Sequence, residues 1–359
     1  MAIMPALAQD TQDSAPPPET DFASGKVVKI ISESGNKLLE QSFGGNQTVQ
    51  LVQVKILNGK LKGKTVEIEN QLTANPAYDI KVKPGSRVIL DIEKNGKSND
   101  IYISDLERFP ALLIMTGLFF MLLMIIGGMR GLKSLISVSI TSGLVFFAFI
   151  PAILNNFPII PTAVGISLLS TLFTMFLVGG INIKSVAATL GTISGLIIAG
   201  LAATLVIKLA PLSGLYDQEA IMLWTSRPDL NFAGILTAAM IVGALGAIMD
   251  IGMSIASCIA ELKLTDPDLS AKQLIKSGMN VGIDIMGTMA NTLILAYIGG
   301  ALPLILLAYN APLFKLINLN PIATEISAAL AGSIGIVLCV PITAVISGYL
   351  IGKSYSKKI

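Results

Sequence analysis

From Phe109 to the C-terminus the chain is a succession of long apolar blocks separated by short polar connections. Apolar blocks of 18 or more residues with few charges read as membrane helices, and here they fall at about 110–128, 134–154, 159–180, 185–209, 231–259, 281–309 and 323–351. The last three exceed the roughly 20 residues that a bilayer needs, so tilted, kinked or protruding helices are expected. Only 13% of the residues are charged, where a soluble chain has about a quarter. The net charge of +2 gives no footprint for a polyanionic partner.

The segment before the first block is different. Between Gly25 and Glu107 the chain is polar and strand-like: Val52, Val54 and Ile56 alternate with Gln53 and Lys55, and Val88, Leu90 and Ile92 with Ile89 and Asp91. Asn58-Gly59 and Asn95-Gly96 each separate two such runs, a hairpin signal. Five or six strands in this length fit a small, OB-like barrel. Aromatic residues do not interleave with its basic ones, so it is not read as a nucleic-acid binder. Residues 1–24 read as a residual signal and flexible tether. Ala6-Leu7-Ala8 fits a cleavage site after a truncated apolar stretch, and Pro16-Pro17-Pro18 lies in a polar run. The expected division is therefore 1–24, a β-rich domain at 25–107 and a transmembrane domain at 108–359. The fold class is an α-helical polytopic membrane protein with a small N-terminal all-β domain.

Loop charge gives an orientation. One set of helix ends carries Arg130, Lys133, Lys184, Lys263, Lys272, Lys276, Lys353, Lys357 and Lys358, whereas the other carries Lys208, Arg227 and Lys315. The basic side is expected in the cytoplasm, which places the β domain outside the cell membrane and the C-terminus inside. Asp266, Pro267 and Gly278 suggest a short surface helix in the connection 264–278, starting at Pro267 and stopping at Gly278. Glu325 is read as a helix-start cap of the last span, and Gly299-Gly300, Pro303 and Pro341 as interruptions of the last two. Gly191 and Gly195 form a G-x-x-x-G pair suited to close helix packing.

The chemistry lies between Gly243 and Gly299. Asp250, Ser254, Ser257 and Glu261 fall on one face of the fifth span; Asn280, Asp284, Thr288 and Asn291 share a stripe on the sixth. In antiparallel neighbours the two carboxylates would sit within about 5–10 Å of one another in depth. Ionisable groups at such depth are costly and face partners or water, so these eight residues form a candidate transport path, a polar seam between the two spans. The donors are carboxylate, amide and hydroxyl oxygens, which suit protons or hard cations. The competing reading is that the hydroxyls and amides hold helices together.

No complete catalytic constellation is legible; a Ser-Lys or paired-Asp membrane hydrolase, with Asp250 and Asp284 on adjacent spans, is a minor alternative whose usual sequence context is absent. With no histidine there is no Ser-His triad, and neither a Walker loop nor H-E-x-x-H nor G-x-S-x-G is present, so no cofactor is expected. Cys258 and Cys339 both lie in apolar blocks, which leaves no disulfide framework for the β domain.

The segments Gly243-Ala-Leu-Gly-Ala-Ile-Met-Asp-Ile-Gly-Met-Ser-Ile-Ala-Ser257 and Ser277-Gly-Met-Asn-Val-Gly-Ile-Asp-Ile-Met-Gly-Thr-Met-Ala-Asn-Thr-Leu-Ile-Leu-Ala-Tyr297, with Gly332-Ser-Ile-Gly and Val340-Pro-Ile-Thr343, resemble the YibE/F family of bacterial multi-pass membrane proteins. The resemblance runs from Gly25 to the C-terminus. It implies the multi-pass topology and the β-rich segment, and it draws attention to Asp250 and Asp284. It implies no particular activity.

The leading functional expectation is a permease for a cation or small solute using this seam. An ion channel could use the same residues. A third reading is a membrane-anchored interaction protein whose β domain binds an envelope partner. Expected partners are the lipid bilayer and either a second copy or another family member.

Overall fold

The structure, a computed structural model, describes residues 20–35, 48–73, 75, 77, 79–95 and 98–355. The expected cleavage site at Ala6-Leu7-Ala8 and Gly96 of the second hairpin signal lie outside the described residues. The chain forms two compact units, Met1–Phe119 and Phe120–Ile359.

Among the described residues the first unit holds five antiparallel strands: β1 (Thr20–Gly35), β2 (Thr48–Ile56), β3 (Thr65–Leu72), β4 (Arg87–Asn95) and β5 (Ser98–Leu106). Their order is β3-β2-β1-β4-β5. Strand β1 is long enough to serve two partners, pairing with β4 through Thr20–Lys26 and with β2 through Gly25–Gly35. Irregularities at Val27/Lys29 and Ile30/Ser32 bend it, and such bulges curl a sheet toward a barrel. Where β1 changes partner, a Cβ on Gly25 would lie 2.6 Å from Val54 Cγ1 and 2.9 Å from Leu90 Cδ1, so glycine is required by the close approach. The result is an antiparallel half-barrel where a small OB-like barrel was expected.

The period-two pattern sorts as read. Val52, Val54, Ile56, Val88, Leu90 and Ile92 all point into one core with Val27 and Ile68. Strand β1 begins at Thr20, ahead of the expected domain start at Gly25, because Thr20 pairs with Glu93 and Ala23 is buried in that core. Asn58-Gly59 does not form a two-residue hairpin. It sits in the longer connection 57–64, with Gly59 at φ 76°, and Asn58 Oδ1 accepts from Ser24 N at 2.6 Å. A buried polar knot centres on Gln50: its Oε1 accepts from Asn70 Nδ2 and Val82 N, and its Nε2 donates to Glu33.

The second unit is a helix bundle. Its elements are α1 (Phe109–Leu144, which starts in the first unit), α2 (Ile150–Leu154), α3 (Ile159–Gly179), α4 (Ile183–Leu209), α5 (Gln218–Ser226), α6 (Phe232–Thr265), α7 (Ala271–Leu307), α8 (Leu313–Ile317) and α9 (Asn320–Tyr355). Among the described residues six helices are long and apolar enough to cross a membrane, and the protein is a membrane protein. The first of them runs over 46 residues from Phe109 to Leu154 and is broken at Gly128, whose φ of 52° and ψ of −132° are not helical. Past the break the chain doubles back, since a Cβ on Gly131 would collide with the Leu123 carbonyl. In an unbroken helix those residues would stand about 12 Å apart along the axis. The two arms correspond to the first two expected spans. The second arm ends in a wide π-turn, Val145–Phe149, directly before Pro151, whose ring disfavours a regular turn there.

Helix α9 is the hub. It packs on α4, where Gly191 meets Thr343 and a Cβ on Gly195 would sit 2.8 Å from Cys339 Cβ; a Cβ on Gly335 would sit 2.6 Å from Ala199 Cβ. The G-x-x-x-G pair therefore serves close packing. Ile248 of α6 fills the same junction. Arm 129–154 joins α3 through hydroxyl pairs, Ser137–Thr174 at 2.6 Å and Thr141–Ser170 at 2.7 Å. Three local expectations are corrected. Helix α7 runs straight through Gly278, because Leu274 and Gly278 are buried by the bundle and no separate surface helix forms. Helices α7 and α9 continue through Pro303 and Pro341. Helix α9 starts at Asn320, so Glu325 lies beyond its first turn and does not cap it.

Candidate functional site

Helices α6 and α7 are antiparallel neighbours joined by the tight connection 266–270. Ser270 caps α7 in a reciprocal arrangement with Gln273, satisfying amides that would otherwise be orphaned. Lys263 is only 5% exposed and donates to the carbonyls of Pro267 and Leu269, so its charge is spent on closing this turn. Glycines set the approach of the two helices. A Cβ on Gly278 would lie 2.5 Å from Ile259 Cδ1, one on Gly282 2.9 Å from Ile255 Cδ1, and one on Gly243 2.8 Å from the Tyr297 hydroxyl.

That register fixes the relative depth of the carboxylates. Continuing it places Asp250 beside Gly287, three residues from Asp284, or about 4.5 Å along the helix axis. The buried face of α6 is Ile241, Ile248, Ile251, Ile255 and Ile259, whereas Asp250 is exposed, as are Gly243 and Gly246. Ser254 and Ser257 are half-buried and Glu261 is exposed. On α7 the buried residues are Leu274, Gly278, Gly282 and Ala301; Asn280, Asp284, Thr288 and Asn291 are all exposed. Thr288 donates back to the Ile285 carbonyl at 2.8 Å, which satisfies it within its own helix. Among the described residues, Asp250, Ser254, Ser257, Glu261, Asn280, Asp284 and Asn291 make no side-chain hydrogen bond or ion pair with one another or with any other described residue.

The arrangement offers three carboxylates, two amides and three hydroxyls along two apolar helices. Among the described residues no three Asp, Glu, Cys or His side chains gather as a metal cage. Any cation here would be held by one carboxylate at a time with amide, hydroxyl and water oxygens, a weak and exchangeable site.

A second polar group was missed by sequence reasoning. Tyr216, Asp217, Tyr297 and Glu325 converge at the opposite end of α7. Asp217 caps α5 by accepting from Ala220 N at 2.7 Å. Burial, with the nearby charges of Asp217 and Glu325, pushes the Tyr216 phenol above its usual range. Beside them, a cavity of about 330 Å³ is lined by Tyr297, Ala301, Ile317, Ile322 and Glu325. The available signal was a carboxylate, Glu325, placed among apolar residues shortly inside a span.

Residues 115–353 match the family model described as YibE/F-like protein, and residues 23–106 match that of the YibE/F family N-terminal domain. No curated protein and no solved structure matches the chain. The two family models between them span both the β domain and the helix bundle, and the protein belongs to the YibE/F family.

Proposed function

We propose that the protein is a permease for a cation or small polar solute that moves along the oxygen-bearing faces of α6 and α7, with the β domain outside the cytoplasm. One observation carries this reading: Asp250 and Asp284 lie about one turn apart in depth on adjacent membrane-length helices, and neither has a partner among the described residues. A charged side chain at the middle of a span costs about 2.5–3.5 kcal/mol on insertion scales, so two unpaired carboxylates are kept where water, a proton or a cation meets them. The loop charges described above favour the orientation.

Purified protein in liposomes should carry a cation flux that falls at least tenfold in Asp250→Asn and Asp284→Asn, while both variants stay folded. The same cation should raise the melting temperature of the wild type and leave the variants unshifted. Wild-type flux retained in both variants would overturn the proposal, and would turn attention to the β domain as a binding module.

A further inference from the structure

We infer that the outward stripe of α7 is the contact face of a two-fold homodimer, in which Asp284, Asn280 and Asn291 of two copies together complete the oxygen-lined path. This rests on the permease reading only for the purpose of the path; the contact itself follows from the physical chemistry of the stripe.

Asn280, Asp284, Thr288 and Asn291 stand on the exposed side of a helix whose composition marks it as membrane-spanning. Hydrocarbon offers them no hydrogen bonds, so something other than lipid covers the stripe. The arm 109–127 cannot satisfy it chemically, because Thr116 is its one polar side chain in an otherwise apolar run. A second copy can. In a membrane, two copies of the same topology are related by an axis along the bilayer normal, so each residue meets its own counterpart at its own depth. An asparagine amide is both donor and acceptor and pairs with itself. Asn280 and Asn291 provide this at two levels, about 16 Å apart. Between them lies Gly287, where an added Cβ would meet nothing within 4 Å. This is a smooth patch at which two helix backbones can come close. Two Asp284 carboxylates then flank the axis and share a proton or a cation between them, a site that one copy cannot supply.

The test uses the full-length protein in membranes, with Cys258→Ser as background; Cys339 is fully buried and stays in place. Gly287→Cys and Asn291→Cys should form intermolecular disulfides under mild oxidation. Leu201→Cys, on the exposed face of α4, should not. A second variant, Gly287→Leu, projects into open space within one copy and so leaves its fold intact. It should weaken the dimer roughly tenfold or more in light scattering of detergent-purified protein. Cross-links absent at 287 and 291, equal at 201, or formed to a different protein would each overturn the inference. The two claims fail separately. Flux sensitive to Asp284→Asn without cross-linking removes the dimer and keeps the permease; cross-linking without flux does the reverse.

Discussion

At the scale of single residues, small side chains and satisfied polar groups decide the packing. Gly335 in α9 faces Ala199, and a Cβ there would also lie 3.0 Å from the Gly195 carbonyl oxygen. Gly335→Leu should therefore destabilise the bundle by about 3 kcal/mol or more through overpacking, read as a lowered melting temperature in detergent. Retention of the wild-type melting temperature would show that α4 and α9 separate easily. In the β domain, Gln50 is fully buried and satisfies Asn70 and Val82. Replacing it with alanine strands the Val82 amide, while Asn70 keeps its bond to the Ile80 carbonyl, and the expected loss is about 1–3 kcal/mol by denaturant titration of that domain. Asp284 is exposed and has no partner among the described residues, so Asp284→Asn removes a charge and leaves none of them stranded. Its melting temperature should lie within about 2 °C of wild type in the absence of ligand, which separates a functional defect from a folding one.

At the scale of elements, closures matter more than lengths. The α6–α7 turn is held by Lys263 on two carbonyls and by the Ser270 cap. Lys263→Met should raise hydrogen exchange at 266–270 several-fold while the distant half of α7 is unchanged. A uniform rise along α7 would mean that the turn has no independent role. The loop before α6 has a similar clasp. Arg227 donates to both oxygens of Asp229 and to the Leu154 carbonyl, and this ion pair holds the Asp229 carboxyl well below its usual range. A depressed carboxyl contributes stability above its unfolded value and loses it as pH falls through the folded one. Protection of residues 227–230 should therefore be flat from about pH 8 down to pH 5, falling only in stronger acid.

At the scale of the whole molecule, the two units carry separate cores. The β domain buries Val27, Val52, Val54, Ile56, Val88 and Leu90 among themselves. A fragment of residues 20–107 should accordingly unfold in a single cooperative transition by circular dichroism; a featureless melt would show that the helical unit is needed to fold it. The helical unit is organised differently. Its core gathers Ile241, Ile248, Ile255, Ile336 and Val340 from α6 and α9, with Leu274 from α7. Asp250 on α6 and Asp284 on α7 lie outside this core and are exposed among the described residues.

The sequence by itself determined what depends on local composition and period. Hydrophobic block length set the membrane helices, alternation at Val52–Ile56 and Val88–Ile92 set the buried side of two strands, and the glycine spacing at Gly191 and Gly195 announced close packing. Helical periodicity also put Asp250 on one stripe and Asp284 on another. It could not say which way either stripe turned, because that depends on which neighbours fill the other side. Tertiary structure decided this: Ile248, Ile255 and Gly282 take the inward positions against α9, and the acids turn out. The same is true of Gly278, which reads as a helix stop in isolation and became a contact point once Ile259 packed over it. It is true again of Glu325, drawn with Tyr297 and Asp217 from distant parts of the chain to one end of the bundle. Propensity and period act over a few residues, while burial is settled between helices far apart in sequence, and only the fold states those pairings.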